Sequence, residues 1–240
     1  IVSSGSEEVF QYLLNWLAHV YLFPYKPTQK ALINKGTQGS GKSIFWDKIG
    51  MIFDPAVSKI EKGDNIFGRF GANAYLVEKV LVIWDEANAK QDSDSFKNLI
   101  TSDCLQSEKK GSTARSVPNY TNWVMTTNRD SPVKFEPGQN RRFFIFNASE
   151  EKTNDSLYFK ELVSAFIDND HEGLRQFIQY MLDKRNPEFD PSKSPMTEEM
   201  VHLLRQEMTE MDVWWSEVLD RGTLFDTDTK WVSSKEPVTV

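Results

Sequence analysis

The chain has 240 residues, of which 39% are hydrophobic and 26% charged, enough apolar material for a packed core and too much for a chain disordered throughout. Its net charge of −7 excludes a polycation that coats nucleic acid with its whole surface, so a phosphate backbone has to be met by a local basic patch or a ring of such patches. The single Cys104 excludes an internal disulfide and a cysteine zinc site and fits a reducing compartment, and no apolar run approaches a membrane span.

The length suits one α/β domain with an appendage, or two small domains. We divide it into an N-terminal helical segment (1–29), a nucleotide-binding core (30–150), a C-terminal helical region (151–220) and a tail or the start of a further module (221–240). With no signal peptide, the expected location is the interior of a cell. The chain opens at Ile1 without a methionine, as a piece of a longer polypeptide would. His19, His171 and His202 are scattered and read as surface or helix residues.

Residues 7–23 carry apolar side chains at Val9, Phe10, Leu13, Leu14, Leu17, Ala18, Tyr21 and Leu22. That is helical spacing with a wide apolar face, opened by Ser6 with Glu7 and Glu8 and closed by Pro24. The helix is expected to pack on the core, with Trp16 and Trp46 as core or interface residues. Residues 31–34 read as a short buried strand and 44–53 as a helix with apolar Ile44, Phe45, Ile49 and Ile52.

Between them stand Gly36, Thr37, Gln38, Gly39, Ser40, Gly41, Lys42 and Ser43, a full match to the phosphate-binding pattern G-x-x-x-x-G-K-[ST] in the strand–loop–helix context that pattern requires. Gly36, Gly39 and Gly41 can take positive φ, so successive N–H groups can turn inward on a phosphate. The helix N-terminus adds partial positive charge. Lys42 would reach the β- and γ-phosphates and the Ser43 hydroxyl would ligate Mg²⁺. The bland alternative is a glycine-rich turn that binds nothing.

Residues 55–78 are less patterned. A strand is expected over 57–60 and a loop with a helical turn over 62–73, where Arg69 is a surface arginine or one that touches a ligand or a neighbouring subunit. The apolar run 80–84 suits a central parallel strand and ends in Asp85-Glu86, the pair a Walker B motif requires. Asp85 would hold the magnesium hydration shell and Glu86 would polarise the attacking water. Two solvated acids at a strand end are the alternative.

Residues 93–102 read as a helix with Phe96, Leu99 and Ile100 on one face. The polar stretch 107–115 follows, between two strands expected to be buried, and carries Lys109, Lys110 and Arg115 about Gly111. A projecting hairpin that grips a nucleic-acid backbone is one reading, a solvated turn the other. The next strand, 120–127, ends at Asn128, which can hydrogen-bond both a γ-phosphate and a water. Arg141 and Arg142 precede the aromatic strand 143–146, as a charge cap or as a finger into a neighbour's nucleotide site. From residue 156 onward the pattern is helical: two stripes up to Leu182, a proline-containing link over 186–195, and one long helix from Thr197 to about Leu219 with packing stripes through Met211 and Val213.

The order of phosphate loop, Asp-Glu strand, basic hairpin, Thr-Asn strand and arginine pair resembles the superfamily 3 helicases of DNA viruses and phages. It is most similar to the helicase half of phage primase–helicase and primase–polymerase proteins, related to the poxvirus type. The segment 12–19 looks like that family's helix before the phosphate loop, Lys109-Lys110-Gly111 like its hairpin motif, and Thr127-Asn128-Arg129 like its third motif. Phe189-Asp190-Pro191 and Pro195-Met196-Thr197 are similar to its C-terminal helical part. The likeness covers roughly residues 7–220.

It implies an AAA+-like α/β core with a central parallel sheet, a ring of subunits (commonly six), and ATP-driven movement along single-stranded DNA in the 3′ to 5′ sense. It further implies Asn128 as γ-phosphate sensor, Arg141 or Arg142 as the residue entering the neighbour's site, and a primase or polymerase domain elsewhere in the full-length chain. Lys134 is the candidate for a second trans-acting lysine. The competing functional classes are a module that binds ATP to assemble on DNA with negligible turnover, and a small-molecule kinase, which lacks an obvious lid and leaves the hairpin unexplained.

Overall fold

The computed structural model describes residues 2–61, 65–68, 70–108, 111, 113–134, 140–206 and 208–222. Helix α1, Glu7–Leu22, starts where Ser6 Oγ accepts from the Val9 N–H at 3.3 Å. It lays Leu13, Leu14, Trp16, Leu17 and Val20 into the core. Strand β1, Ala31–Lys35, runs into the glycine loop, and α2, Lys42–Gly50, leaves it, followed by a 3₁₀ turn at Met51–Phe53. Then come β2 (Val57–Ile60), α3 (Gly71–Tyr75), β3 (Leu81–Trp84), α4 (Ser93–Thr101), β4 (Cys104–Ser107), β5 (Arg115–Pro118), β6 (Asn122–Thr127) and β7 (Phe143–Asn147). The C-terminal helices are α5 (Ser156–Lys184), α6 (Glu198–Gln206) and α7 (Glu210–Arg221).

Five strands form one parallel sheet in the order β2-β3-β6-β1-β7. The central strands are continuous apolar runs because helices cover both faces. Leu32, Ile33, Leu81, Val82, Val124, Phe144 and Ile145 are fully enclosed, each such side chain stabilising the fold by about 1.5–3 kcal/mol. The register sets Lys35 opposite Thr127 and Asn147, and Trp84 opposite Met125, so β1, β3 and β6 end side by side at one edge. The Phe96 ring meets Trp84 and Trp123 edge-on at 5.7 and 5.1 Å, which pins α4 to the sheet ahead of the β4–β5 hairpin.

At the opposite edge the link 186–195 is tied to the core. The Tyr12 hydroxyl donates to the Pro191 carbonyl at 2.7 Å, and Lys30 Nζ donates to the Ser192 carbonyl and Ser194 Oγ at 2.9 and 2.8 Å.

Three expectations are corrected and one, the two stripes of 156–182, is sharpened. The strands flanking the basic turn are not buried: β4 and β5 form a separate two-stranded antiparallel sheet in which Leu105 and Ser107 face inward while Cys104, Gln106, Arg115 and Ser116 are exposed. The two stripes of α5 belong to two arms. Asn169, Asp170 and His171 take φ of 51, 57 and 63°, and the chain folds back so that Phe166 and Phe177 lie 6.2 Å apart. Gly173 passes so close to the Ala165 carbonyl that a Cβ there would strike it. The single long helix after Thr197 is two helices, because Thr209 and Asp212 form a capping box that starts α7 afresh. The expected packing stripe of α7 is solvent-facing: Met211 is 69% and Val213 42% exposed, and Trp214, Trp215 and Leu219 are exposed with them. Among the described residues no helix is long and apolar enough to cross a membrane.

Candidate nucleotide site

The glycine loop leaves β1 with the Gly36 N–H bonded to the Thr127 carbonyl at 3.1 Å, so the β6 end holds its first residue. Gly39 and Gly41 have φ of +84 and +81°, the left-handed region that glycine occupies without penalty. Each is also crowded: a Cβ at Gly39 would overlap the Asn154 carboxamide, and one at Gly41 would enter the Phe159 ring. Gly36 differs from the expectation. It has no positive φ, and its constraint is proximity, since a Cβ would sit 3.1 Å from Ala148 Cβ and 3.2 Å from Ser40 Oγ. Ser40 Oγ is buried under the loop without a hydrogen bond.

Lys42 is buried at the start of α2 and donates from Nζ to the Thr37 carbonyl at 2.9 Å. Burial lowers the pKa of its ammonium, opposed by the charges of Asp85 and Glu86. Ser43 Oγ donates to Asp85 Oδ1 at 2.7 Å, the Glu86 N–H donates to the same oxygen at 3.1 Å, and the Thr126 hydroxyl donates to it as well. Burial by itself raises the Asp85 pKa. The bonds from Thr126, Ser43 and Glu86, with the charge of Lys59, outweigh it and hold the carboxyl below its ordinary value. Glu86 has φ of 49°, a left-handed conformation that costs a residue with a Cβ about 1–2 kcal/mol and turns the chain sharply at the strand end.

Gln38, Gly39, Lys42, Ser43, Asp85, Glu86, Thr126, Thr127 and Asn128 line one cavity of about 100 Å³. An ammonium, an ionised carboxylate, a hydroxyl, a second acid and a carboxamide thus converge from β1, β3 and β6. The Ser43 hydroxyl and Asp85 carboxylate are hard oxygen donors of the kind Mg²⁺ takes alongside water and phosphate oxygens. Among the described residues no group of three or more His, Cys, Asp or Glu could form an all-protein metal cage.

The remaining sequence candidates are elsewhere. Thr37 contributes its carbonyl rather than its hydroxyl. Arg141 and Arg142 sit in a 3₁₀ turn, Asn140–Arg142, outside this cavity; Arg141 is exposed and Arg142 Nε is buried without a hydrogen bond. Arg115 is exposed at the start of β5 opposite Ser107. Lys109, Lys110 and Arg69 lie outside the described residues. Lys134 is exposed, its N–H donating to Ser93 Oγ at 2.8 Å.

Three contributors were missed in the sequence. Thr126 falls within the strand expected over 120–127, and a polar hydroxyl at the end of the apolar run Trp123-Val124-Met125 is the signal that could have found it. Asn154, whose N–H donates to the Gly39 carbonyl at 3.0 Å, and Phe159 brace the loop from over a hundred residues away, and nothing local announces them. Lys35 is held the same way: Nζ pairs with Glu199 of α6 at 2.6 Å and with Asp130 at 3.2 Å, while Asn147 Nδ2 donates to the other Glu199 oxygen at 3.1 Å.

Comparison with known proteins agrees with this architecture. Residues 34–142 match a family of unknown function, DUF5906. A DNA primase-polymerase of Nitratiruptor phage NrS-1 is 24% identical over 222 residues, covering 87% of this chain and 30% of the relative, so the chain spans less than a third of that protein. Two apo structures of the NrS-1 C-terminal region share its fold at 21% identity. One has a TM-score of 0.71 over 94% of this chain and 57% of that one; the other has 0.68 over 90% and 55%. The chain is therefore similar to the C-terminal region of a phage primase-polymerase, and the resemblance to that kind of protein carried by its motifs is borne out.

Proposed function

We propose that this chain is the ATP-hydrolysing motor part of a DNA-replication protein, a superfamily 3 helicase domain that works inside the host cell. The observation that carries the reading is the convergence of Lys42, Ser43, Asp85, Glu86 and Asn128 on one cavity. The core is read as AAA+-like, with ATP on the glycine loop. Lys42 would exchange its bond to Thr37 for the β- and γ-phosphates. Ser43 and Asp85 would hold Mg²⁺, which supplies charge neutralisation between those phosphates. Glu86 would orient the attacking water and Asn128 would hold the γ-phosphate; phosphoryl transfer needs positioning and charge stabilisation more than covalent chemistry.

The cavity has no arginine of its own among the described residues. Arg141 or Arg142 from a neighbouring subunit is the proposed partner, which calls for a ring, commonly of six. The hairpin with Lys109, Lys110 and Arg115 is assigned to single-stranded DNA in the central channel, where repetition of the patch overcomes the acidic exterior.

The test is steady-state ATP hydrolysis with and without single-stranded DNA. Turnover that DNA stimulates, lost in Glu86→Gln, is expected, and Lys109→Ala with Lys110→Ala should remove the stimulation while sparing basal turnover. A Glu86→Gln protein that turns over like the parent would refute the hydrolytic assignment.

A further inference from the structure

Asn128 lines the polar cavity but has no hold of its own there. It is exposed, and among the described residues its side chain makes no hydrogen bond to the protein. The direction of its carboxamide is therefore set by the backbone on either side. Before it the hold is firm. Thr127 is buried at the end of β6; its hydroxyl donates to the Ala87 carbonyl at 3.1 Å and accepts from the Arg129 N–H at 3.2 Å. After it the chain has left the sheet and bends at Asp130, and the next backbone anchor is the Pro132 carbonyl, which accepts from the Ala89 N–H at 2.8 Å. Between these anchors, the one side-chain tie from residues 128–130 to another element among the described residues is the pair of Asp130 Oδ1 with Lys35 Nζ at 3.2 Å.

The sheet register puts Lys35 opposite Thr127, beside the point where β6 ends. Its two carboxylate partners are unlike. Glu199 is 10% exposed in its side chain, and a second donor, Asn147 Nδ2, holds its other oxygen. Asp130 is 85% exposed. Burial lowers the pKa of the Lys35 ammonium, and the bonds to Glu199 and Asp130 outweigh it and hold the group above its ordinary value. The Glu199 half of this arrangement ties α6 to the sheet. The Asp130 half adds little to stability, because an exposed carboxylate is already well solvated. What it does supply is geometry, since it keeps the chain beyond Thr127 turned back over the end of β1.

We propose that Lys35 and Asp130 are positioning residues for Asn128: their ion pair fixes the bend after β6 and so aims the carboxamide at the γ-phosphate. The inference rests on the function proposed above and deepens it. A contact of this kind works only when its backbone is held in place before the ligand arrives. The γ-phosphate is also what separates ATP from ADP, while the glycine loop and Lys42 reach the β-phosphate of both. The pair therefore acts on the preference for triphosphate and on the hydrolytic step, and leaves diphosphate affinity alone.

The experiment is calorimetric binding of Mg²⁺-ATPγS and Mg²⁺-ADP, with thermal melts, on the parent chain and its variants. The parent should prefer ATPγS about tenfold, Asn128→Ala should abolish the preference, and Asp130→Ala should reduce it to about twofold with ADP affinity unchanged. The double variant should match Asn128→Ala alone, because a residue that acts through Asn128 has nothing left to act on. Asp130→Glu should recover most of the preference, and the melting midpoint of Asp130→Ala should stay within about 2 °C of the parent. Lys35→Met should lose the preference and Lys35→Arg keep it; Asp130→Ala carries the test if Lys35→Met, which strips Glu199 of its cation, fails to fold. Glu199→Gln should lower the melting midpoint and leave the preference intact. A parent-like preference in Asp130→Ala overturns the proposal, as does a loss that adds in full to that of Asn128→Ala. A parent without any preference refutes Asn128 as the γ-phosphate contact, and one that binds neither nucleotide refutes the phosphate site; each of these also removes the role of the pair, by a signature distinct from failure of the pair alone.

Discussion

Two buried lysines at opposite ends of β1 show how one side chain is used in two ways. Lys30, just before the strand, is 2% exposed, and its ammonium donates to the Ser192 carbonyl and Ser194 Oγ. Burial pushes its pKa down to about 8 against the pull of Asp190. It is a tie that fastens a distant link, satisfied by groups of the protein. Lys42, just past the glycine loop, is 8% exposed, spends one bond on a backbone carbonyl, and looks across at two acids. A lysine held by neutral oxygens serves the fold; one held loosely beside carboxylates and a glycine loop is available to an anion.

The contrast can be broken most sharply by exchanging the losses. Lys42→Ala is expected to cut ATP turnover at least a hundredfold while shifting the thermal midpoint little. Lys30→Met should keep the parent's turnover and lose about 1–3 kcal/mol of stability, since Ser192 and Ser194 are left without a donor. Turnover assays beside thermal melts check both, and a pair of variants with the same signature would erase the distinction.

Thr126→Val comes next. It removes one of three donors to Asp85 Oδ1, so the carboxyl pKa should rise and the Mg²⁺ concentration for half-maximal turnover increase several-fold, with Thr126→Ser restoring it. A magnesium titration decides.

At the other end of the strand, Tyr12→Phe deletes the bond to Pro191 and should cost about 1 kcal/mol in urea unfolding, with no effect on turnover.

The smallest effect is with pH. The folded-state pKa of Lys30 is below its ordinary 10.5, so between about pH 8 and 10.5 the unfolded chain binds more protons, and stability from this group rises with pH across that window. Lys30→Met should flatten that slope in melts taken from pH 7.5 to 10.5.

The parallel sheet was legible because strands covered on both faces must be apolar throughout. Residues 31–34, 80–84 and 143–146 announce themselves, and the glycine pattern and the Asp85-Glu86 pair come attached to strand ends. The break at 207–209 was hidden for the opposite reason: the apolar repeat continues through Met208 and Met211, and the capping signal Thr209 with Asp212 was present but overridden by that periodicity, whereas the polar run 168–173 between the stripes ending at Ile167 and restarting at Leu174 marks the fold-back of α5. Phe159 on Gly41, Asn154 on Gly39 and Glu199 on Lys35 join segments over a hundred residues apart, and a single sequence has no local mark for such pairings.

The salt link between Lys35 and Glu199 sets a rule for trimming the polypeptide. Lys35 is the last residue before the glycine loop, and its ammonium is shared between Asp130, two positions beyond Asn128, and a carboxylate carried by α6. A version shortened ahead of residue 197 would remove that anion and leave the Lys35 ammonium, at the mouth of the candidate nucleotide site, to the exposed Asp130 alone and more open to competing for phosphate. Inactivity in such a fragment would then report a misplaced charge rather than a missing domain, and a faithful minimal unit has to extend through the end of α6.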